Sequence, residues 1–528
     1  MPDRLDSWKE ICAYLGRDRR TLGRWERERG MPVHRVPGGE RPRVYAVPAE
    51  LDRWLRQGTE APPAAPTRPD APESPVVAVL PFAILAGDRE SEFFGDGLAD
   101  DVIDAMTRVP DLRVIARTSS FAFRGKNVDV RQIGARLGAS VLLEGSLRRS
   151  GSRIRVSAQL VTAADGCHLW SETFDRELLD VFAIQDEIAS AVARALSARL
   201  GAKRRQRRSV PDLAAYELWL KGRSTALTYT AEAMRGASEC FQAALDIDPA
   251  FALPHLGMAE MAWQAAEFGL LPAAAALERA RSGVDRALAL DDTLGEAHAL
   301  DGVLRGLLDF DWDAASRSFD RALAENPSSS EVRRRHAWSY LAPRGRLPEA
   351  DRAMDELVRL DPFSPFVLTS SGLLKFSRHD LAGAADAFRR AVDLLPSLWW
   401  ARYFLGAMTL FSGDAPRGMA LCEEALRSHP GPVADGARAA ISGFSGDRER
   451  ARQILARLLS ENDAAPVSPV AIAWACIGAG DDRVFDWLGR CVDEREPIAL
   501  HLSHMPIYDG LRGDPRLATL LARMGLGD

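Results

Sequence analysis

"FQAALDIDP", residues 241–249, recurs five times along the chain in altered form. The later copies are "VDRALALDD" (284–292), "FDRALAENP" (319–327), "MDELVRLDP" (354–362), "FRRAVDLLP" (388–396) and "CEEALRSHP" (422–430). Their final residues lie 43, 35, 35, 34 and 34 positions apart, a period near 34 broken by one nine-residue insertion around "FGLLPAAAA". A steady period of this size marks a solenoid of helical hairpins, because one hairpin cannot bury its apolar face alone and must stack on the next. The residue twelve places before each copy's end is small: Ala237, Ala280, Ala315, Ala350, Ala384 or Gly418. Eight places before the end stands a larger one: Phe241, Val284, Phe319, Met354, Phe388 or Cys422. The small residue lets two helices approach and the larger one fills the space a turn later. Gly257, Gly372 and Gly406 mark the same close contact in three first helices.

These spacings resemble the tetratricopeptide repeat. The resemblance covers residues 212–528, with "YDGLRGDPRLATLLARMGL" (508–526) as a terminal cap, and implies a concave groove that takes a protein or peptide partner. Stacked repeats share a continuous core, so this part is expected to fold alone.

Upstream, strand and helix signals alternate over residues 76–200. "VVAVLPF" reads as a buried strand, "GLADDVIDAMTRV" as a helix, "LRVIA" as a strand and "VRQIGARLG" as a helix. Two strands around a Ser-Gly-Ser turn follow, then "HLWSETF" and a closing helix, "IQDEIASAVARALSARL". In order, "VAVLPF", "FFGDGLADDVIDAM", "IARTSSFAFRGK" and "FAIQDEIASAVARAL" resemble the TolB-like amino-terminal domain found beside tetratricopeptide repeats in bacterial regulatory proteins. A basic hinge at 201–211 follows it. Six prolines in residues 58–75 precede it and make a semi-rigid linker.

The first 57 residues open with "SWKE", a capping box in which Ser7 begins a helix and Glu10 reaches back. Trp8, Ile11, Cys12 and Leu15 form its apolar face. A second helix follows, with Leu22 and Trp25 inward. Arg20, Arg24 and Arg27 lie on one stripe of that helix, and Arg19 and Thr21 sit near its start, where a recognition helix meets bases and phosphates. "MPVHRVPGGERPRVYAV" reads as a hairpin wing carrying Arg41 and Arg43, before a third helix. "RTL-RWERE-GMP" and "RVYAVPAELDRWL" resemble the winged helix-turn-helix of the MerR and excisionase families, with Tyr45 in the aromatic position. The resemblance implies DNA binding through Arg19, Arg20, Thr21, Arg24, Arg27, Arg41 and Arg43. A proline-rich linker stands where MerR proteins carry a dimerising helix.

Residues 1–60 carry a net +3 on a chain of net −6, a basic end on an acidic body that suits local contact with a polyanion. The six cysteines lie far apart without a CxxC pair, so disulfides and a zinc site are not expected. The polar N-terminus and the absence of a long apolar run suit a cytoplasmic chain without membrane contact. Asp96, Asp100, Asp101 and Asp104 read as dipole-complementing residues in a helix's first turn rather than as cation ligands, and His501 and His504 as polar cap residues. No nucleophile elbow, P-loop or HExxH occurs, so no cofactor, no catalytic residue and no enzymatic activity are expected. The reading is a mainly α, multidomain chain: a winged helix-turn-helix, a mixed α/β domain and an α-solenoid. Its expected role is a DNA-binding transcriptional regulator, with a protein-interaction scaffold as the alternative.

Overall fold

A computed structural model describes residues 75–528 apart from 87–88, 110–111, 127, 151–152, 178–180, 197–210, 227–229 and 528. Of the first 74 it describes 4–5, 7–15, 19, 22, 26, 31–36, 43–48 and 50–52. The chain forms two compact units, residues 1–73 and 74–528.

In the first unit, helix α1 (Trp8–Leu15) begins where expected: the Glu10 amide donates to Ser7 Oγ at 3.3 Å. Strands β1 (His34–Val36) and β2 (Arg43–Tyr45) form an antiparallel hairpin. Ile11, Leu22, Met31, Ala46 and Leu51 close a small core beneath it. Trp25 lies outside the described residues.

The second unit opens with a sheet built from β3 (Val76–Val79), β4 (Ala83–Ala86), β5 (Arg113–Val114), β6 (Val141–Ser150), β7 (Arg153–Thr162) and β8 (His168–Glu177). Its order is β5-β3-β6-β7-β8, with β4 also pairing β6; β3 runs parallel to both neighbours, and β6, β7 and β8 form an antiparallel meander. Side chains alternate along β3, so Val77 and Val79 enter one core while Ala78 enters another. The first core lies against helices α2 (Arg89–Thr107) and α5 (Val181–Leu196), with Phe121 of α3 (Arg117–Phe121) at its edge, and the second against α4 (Val130–Leu137) and Phe123. Burial on both faces is why this strand reads as an unbroken apolar run.

Eight antiparallel helix pairs follow among the described residues. They are α6–α7 (Leu213–Ala226, Ala231–Ile247), α8–α9 (Ala252–Glu267, Ala273–Leu290), α10–α11 (Gly295–Leu304, Trp312–Glu325) and α12–α13 (Ser330–Arg335, Leu347–Leu360). Then come α14–α15 (Pro365–Ser377, Leu381–Leu394), α16–α17 (Trp399–Phe411, Ala415–Arg427), α18–α19 (Pro432–Phe444, Arg448–Ala464) and α20–α21 (Pro469–Ala479, Val484–Asp493). Helix α22 (Pro515–Arg523) closes the chain. This is a tetratricopeptide-like solenoid, and its packing follows the repeat. Ala237, Ala280, Ala315, Ala350 and Ala384 are fully buried. A Cβ added to Gly257 would stand 2.7 Å from the Phe241 ring, and one added to Gly372 would stand 2.7 Å from Phe388. At Gly406 it would meet Cys422 Sγ at 2.6 Å. The insertion at 268–276 forms the loop and the first turn of α9.

The α/β layer and the first hairpin share one core. Tyr216, Trp219 and Leu220 of α6 pack with Phe94, Leu98 and Val102 of α2. The expectation that residues 212–528 fold alone therefore meets a physical obstacle, since removing the layer uncovers these side chains. Further along, Ser328 Oγ donates to the Leu112 carbonyl at 2.8 Å and Ser119 Oγ to Asp361 at 2.6 Å.

Candidate functional site

The inner face of the solenoid is made by the first helix of each pair. These helices, with α2 and the segment after α21, surround a cavity of about 570 Å³. The nine-residue insertion helps to enclose it. Phe268 reaches Trp400 with ring centroids 4.5 Å apart, and His429 Nε2 lies 3.3 Å from the Phe268 carbonyl oxygen, tying the second pair to the sixth. From the C-terminal side, His501 stacks on Trp338 at 4.2 Å, and Met505 joins the wall. Trp338 lies within a π-helical turn, His336–Leu341, that extends α12; a similar turn, Arg305–Asp309, extends α10. Such turns re-aim side chains and recur at functional sites.

One region of the lining is charged. Asp100 pairs with Arg117 at 3.2 Å and with Arg223 at 2.8 Å, while Asp104 pairs with Arg108. Arg335, almost fully buried, reaches Glu260 at 2.7 Å and Glu331 at 2.8 Å; Arg334 also holds Glu331, at 2.7 Å. Arginine's planar fork suits such double pairing. The lining carries further carboxyls on which burial outweighs the nearby arginines and hydroxyls. Burial raises Asp101 to about 7, although the Tyr216 hydroxyl donates to it. Burial likewise raises Asp361 to about 6 and Glu496 to about 7. Glu296 accepts from Ser329 Oγ at 2.7 Å and is also raised by burial.

The other region is aromatic. Trp400 meets Phe366 at 5.9 Å and Trp399 at 6.0 Å, and Trp399 stacks on His429 at 4.4 Å. Tyr403 and Phe404 continue this wall. A space bounded by large rings and a few fixed charges is the usual character of a ligand pocket.

The sequence reading did not assemble this cavity. One signal was available: "WWARYF" (399–404) puts four aromatic residues on two faces of one first helix, more than packing within a pair requires. The aspartates were visible but misplaced. Helix α2 starts at Arg89, so Asp96, Asp100, Asp101 and Asp104 lie well past its first turn; Asp96, Asp100 and Asp104 pair with arginines and Asp101 accepts from Tyr216. Gly95 and Gly97 look like breakers yet sit inside the helix, where Ile84 and Leu220 leave no room for a Cβ. His501 and His504, read as polar cap residues, are both buried, and burial pushes His501 down to about 3. Among the described residues no group of three His, Cys, Asp or Glu could hold a metal ion. No described helix is long and apolar enough to cross a membrane.

Of the residues expected at DNA, Arg19 is exposed, with its guanidinium 3.6 Å above the Trp8 ring. Arg43 lies on β2, its side chain undescribed; Arg20, Thr21, Arg24, Arg27 and Arg41 lie outside the described residues. Tyr45 stacks on His34 at 4.9 Å, with Arg4 3.7 Å from its ring centre.

No protein-family profile matches the chain. A curated protein of Rhizobium meliloti (strain 1021), named "Putative adenylate cyclase 3", is 40% identical over 202 residues, covering 38% of this chain and 34% of that protein. The chain thus spans about a third of the length of this relative. The expectation that the chain is not an enzyme is corrected by this match, since the matched protein is named for a catalytic activity. Among solved structures, a human IFIT1 dimer with PPP-AAAA is similar at 15% identity and a TM-score of 0.38, covering 60% of this chain and 82% of that one. A tetratricopeptide repeat protein from Parabacteroides merdae is similar at 17% identity and a TM-score of 0.32, covering 50% and 99%.

Proposed function

We propose that the chain is a ligand-responsive DNA-binding regulator. Its N-terminal unit is a winged helix-turn-helix of the MerR and excisionase kind, over residues 1–57. The linker 58–75 joins it to a TolB-like region, 76–200, a basic hinge, 201–211, and the solenoid, 212–528, whose cavity receives a peptide or small-molecule partner. The aromatic and charged cavity on the inner face carries this reading, because such a lining is the usual character of a ligand pocket. The capped first helix, the hairpin and the small shared core support the N-terminal assignment. In the resulting mechanism, Arg24 reads a base edge, Arg27, Arg41 and Arg43 hold phosphates, and Arg19, Arg20 and Thr21 complete the DNA-facing surface.

The test is fluorescence anisotropy of the full chain on a selected duplex over a salt series. Affinity should fall steeply with salt, and replacing Arg20, Arg24 and Arg27 by alanine should abolish specific binding. Binding that ignores both changes would leave the N-terminal unit as a protein-interaction module.

The match to a protein named a putative adenylate cyclase favours a second reading, in which the chain acts on ATP. Incubating the full chain with ATP and magnesium and measuring cyclic AMP tests it directly.

A further inference from the structure

Taken together, the cavity lining holds an excess of acid. Asp100, Asp104, Glu260 and Glu331 are held by arginines; Asp101 accepts from the Tyr216 hydroxyl near Arg223, Glu296 from Ser329 and Asn326, Asp361 from Ser119 and Glu496 from Ser468. Glu267 differs from all of these. It ends α8, lines the cavity and is exposed, yet its side chain makes neither a hydrogen bond nor an ion pair among the described residues. Burial pushes its carboxyl above the usual range, against the pull of Arg334 and Arg335, which are already engaged with Glu331 and Glu260, so a cation brought beside it would favour the ionised form. The next residue, Phe268, packs at a tilt against Trp400, which also meets Phe366.

We propose that Glu267 and the Phe268–Trp400–Phe366 cluster bind an organic cation with an apolar body, an ammonium or guanidinium group carried by a large hydrocarbon. The carboxylate supplies the charge that the cavity leaves unanswered. Ring faces attract a cation and bury the carbon skeleton next to it. An anionic ligand would meet an acid-rich lining whose arginines are already engaged by Asp100, Asp104, Glu260 and Glu331. The cation is either the lysine or arginine side chain of an apolar peptide or a free aromatic or alkyl amine. This inference rests on the reading of the solenoid as a ligand receiver and gives that ligand its chemistry.

The experiment is calorimetric titration of the full chain, without DNA, against four probes. They are a short apolar peptide containing lysine, the same peptide with the lysine acetylated, phenethylamine and phenylpropionate. The lysine peptide or the amine should bind, and acetylation should weaken the peptide at least tenfold. Glu267→Gln keeps the shape of a side chain that faces open space; it should cost a comparable factor, with an unchanged melting temperature. Binding by the peptide alone or by the amine alone identifies the source of the cation. Equal binding of acetylated and free peptide, stronger binding of phenylpropionate, or a Glu267→Gln variant that binds normally overturns the cation assignment while leaving the solenoid as a receiver. If none of the four binds, the assignment is overturned too, and the receiver reading loses its support with it. DNA affinity, measured separately, is untouched by any of these results.

Discussion

The Trp312 indole donates a hydrogen bond of 2.6 Å to the main-chain carbonyl of Met524, 212 residues further on. The bond is buried and fastens the terminal helix to the third helix pair, so the end of the chain returns to the middle of the solenoid. Trp312→Phe keeps a ring in place but leaves that carbonyl without a donor. An unsatisfied buried acceptor costs about 1–3 kcal/mol, and the urea midpoint should fall accordingly. An unchanged midpoint would mean that water reaches the carbonyl.

Gly372 and Phe388 test the repeat's packing rule. A Cβ at residue 372 would lie 2.7 Å from a fully buried ring that has no room to retreat. Gly372→Ala should therefore destabilise by about 1–3 kcal/mol, despite alanine's better helix propensity. Adding Phe388→Leu should recover part of the loss, because the leucine leaves space for the new methyl group. Thermal melts of the two variants measure this coupling.

The same two residues explain what the sequence made legible. Packing within a pair depends on residues a fixed distance apart in the chain, so Gly372 and Phe388 could be matched by counting. The cavity obeys no such count. Glu267, Arg335, Trp400 and His501 come from four separate elements, and each resembles an ordinary residue of its own helix. Their meeting depends on how tightly the solenoid coils, which the Phe268 insertion and the C-terminal segment help to set. The first unit is a third case. Its capping box and wing are local patterns and could be read, whereas most of the arginines that would meet DNA lie outside the described residues.

The shared core predicts how truncation behaves. In residues 212–528 alone, Tyr216, Trp219 and Leu220 lose α2, and the Phe94 ring 6.3 Å from Tyr216 disappears. Fully burying a large apolar side chain contributes roughly 1.5–3 kcal/mol, so the first pair should fray. The fragment 74–528 should melt cooperatively, while 212–528 should show a lower transition and red-shifted Trp219 emission. Equal melting of both fragments would make the α/β layer energetically independent of the solenoid.

Asp361 gives stability a pH dependence of unusual sign. It is buried where Ser119 Oγ and Ser330 Oγ donate to it, yet burial prevails and lifts it to about 6, above its ordinary 3.8. A carboxyl raised on folding binds its proton more tightly in the folded state. Its contribution is therefore complete below about pH 4 and is lost as pH rises through about 6. Asp361→Asn retains hydrogen-bonding capacity without the charge. Relative to wild type it should gain up to about 3 kcal/mol between pH 4 and pH 7, read from urea unfolding at each pH. A constant difference across that range would show that Asp361 titrates normally.

His501 works in the opposite direction. It is stacked on Trp338 in the cavity wall, its Nδ1 meets no hydrogen-bond partner among the described residues, and burial holds it down to about 3 from an ordinary 6.5. The unfolded chain takes up a proton there below pH 6.5 and the folded chain does not, so stability is complete above 6.5 and falls as the solution is acidified. At pH 5 the loss from this one group is about 2 kcal/mol. His504, edge-on to the same indole and also pushed down by burial, adds to it. His501→Phe preserves the stack and removes the titration. The comparison has to be made as a difference between variant and wild type, because Asp361, Asp101 and Glu496 tilt the whole profile the other way. Plotted so, the variant's advantage should be absent at pH 7.5, emerge near 6.5 and grow steadily towards pH 5. An advantage that does not change with pH would mean that the His501 ring is protonated as readily in the folded chain as in the unfolded one, and that the cavity wall beside Trp338 is open to water.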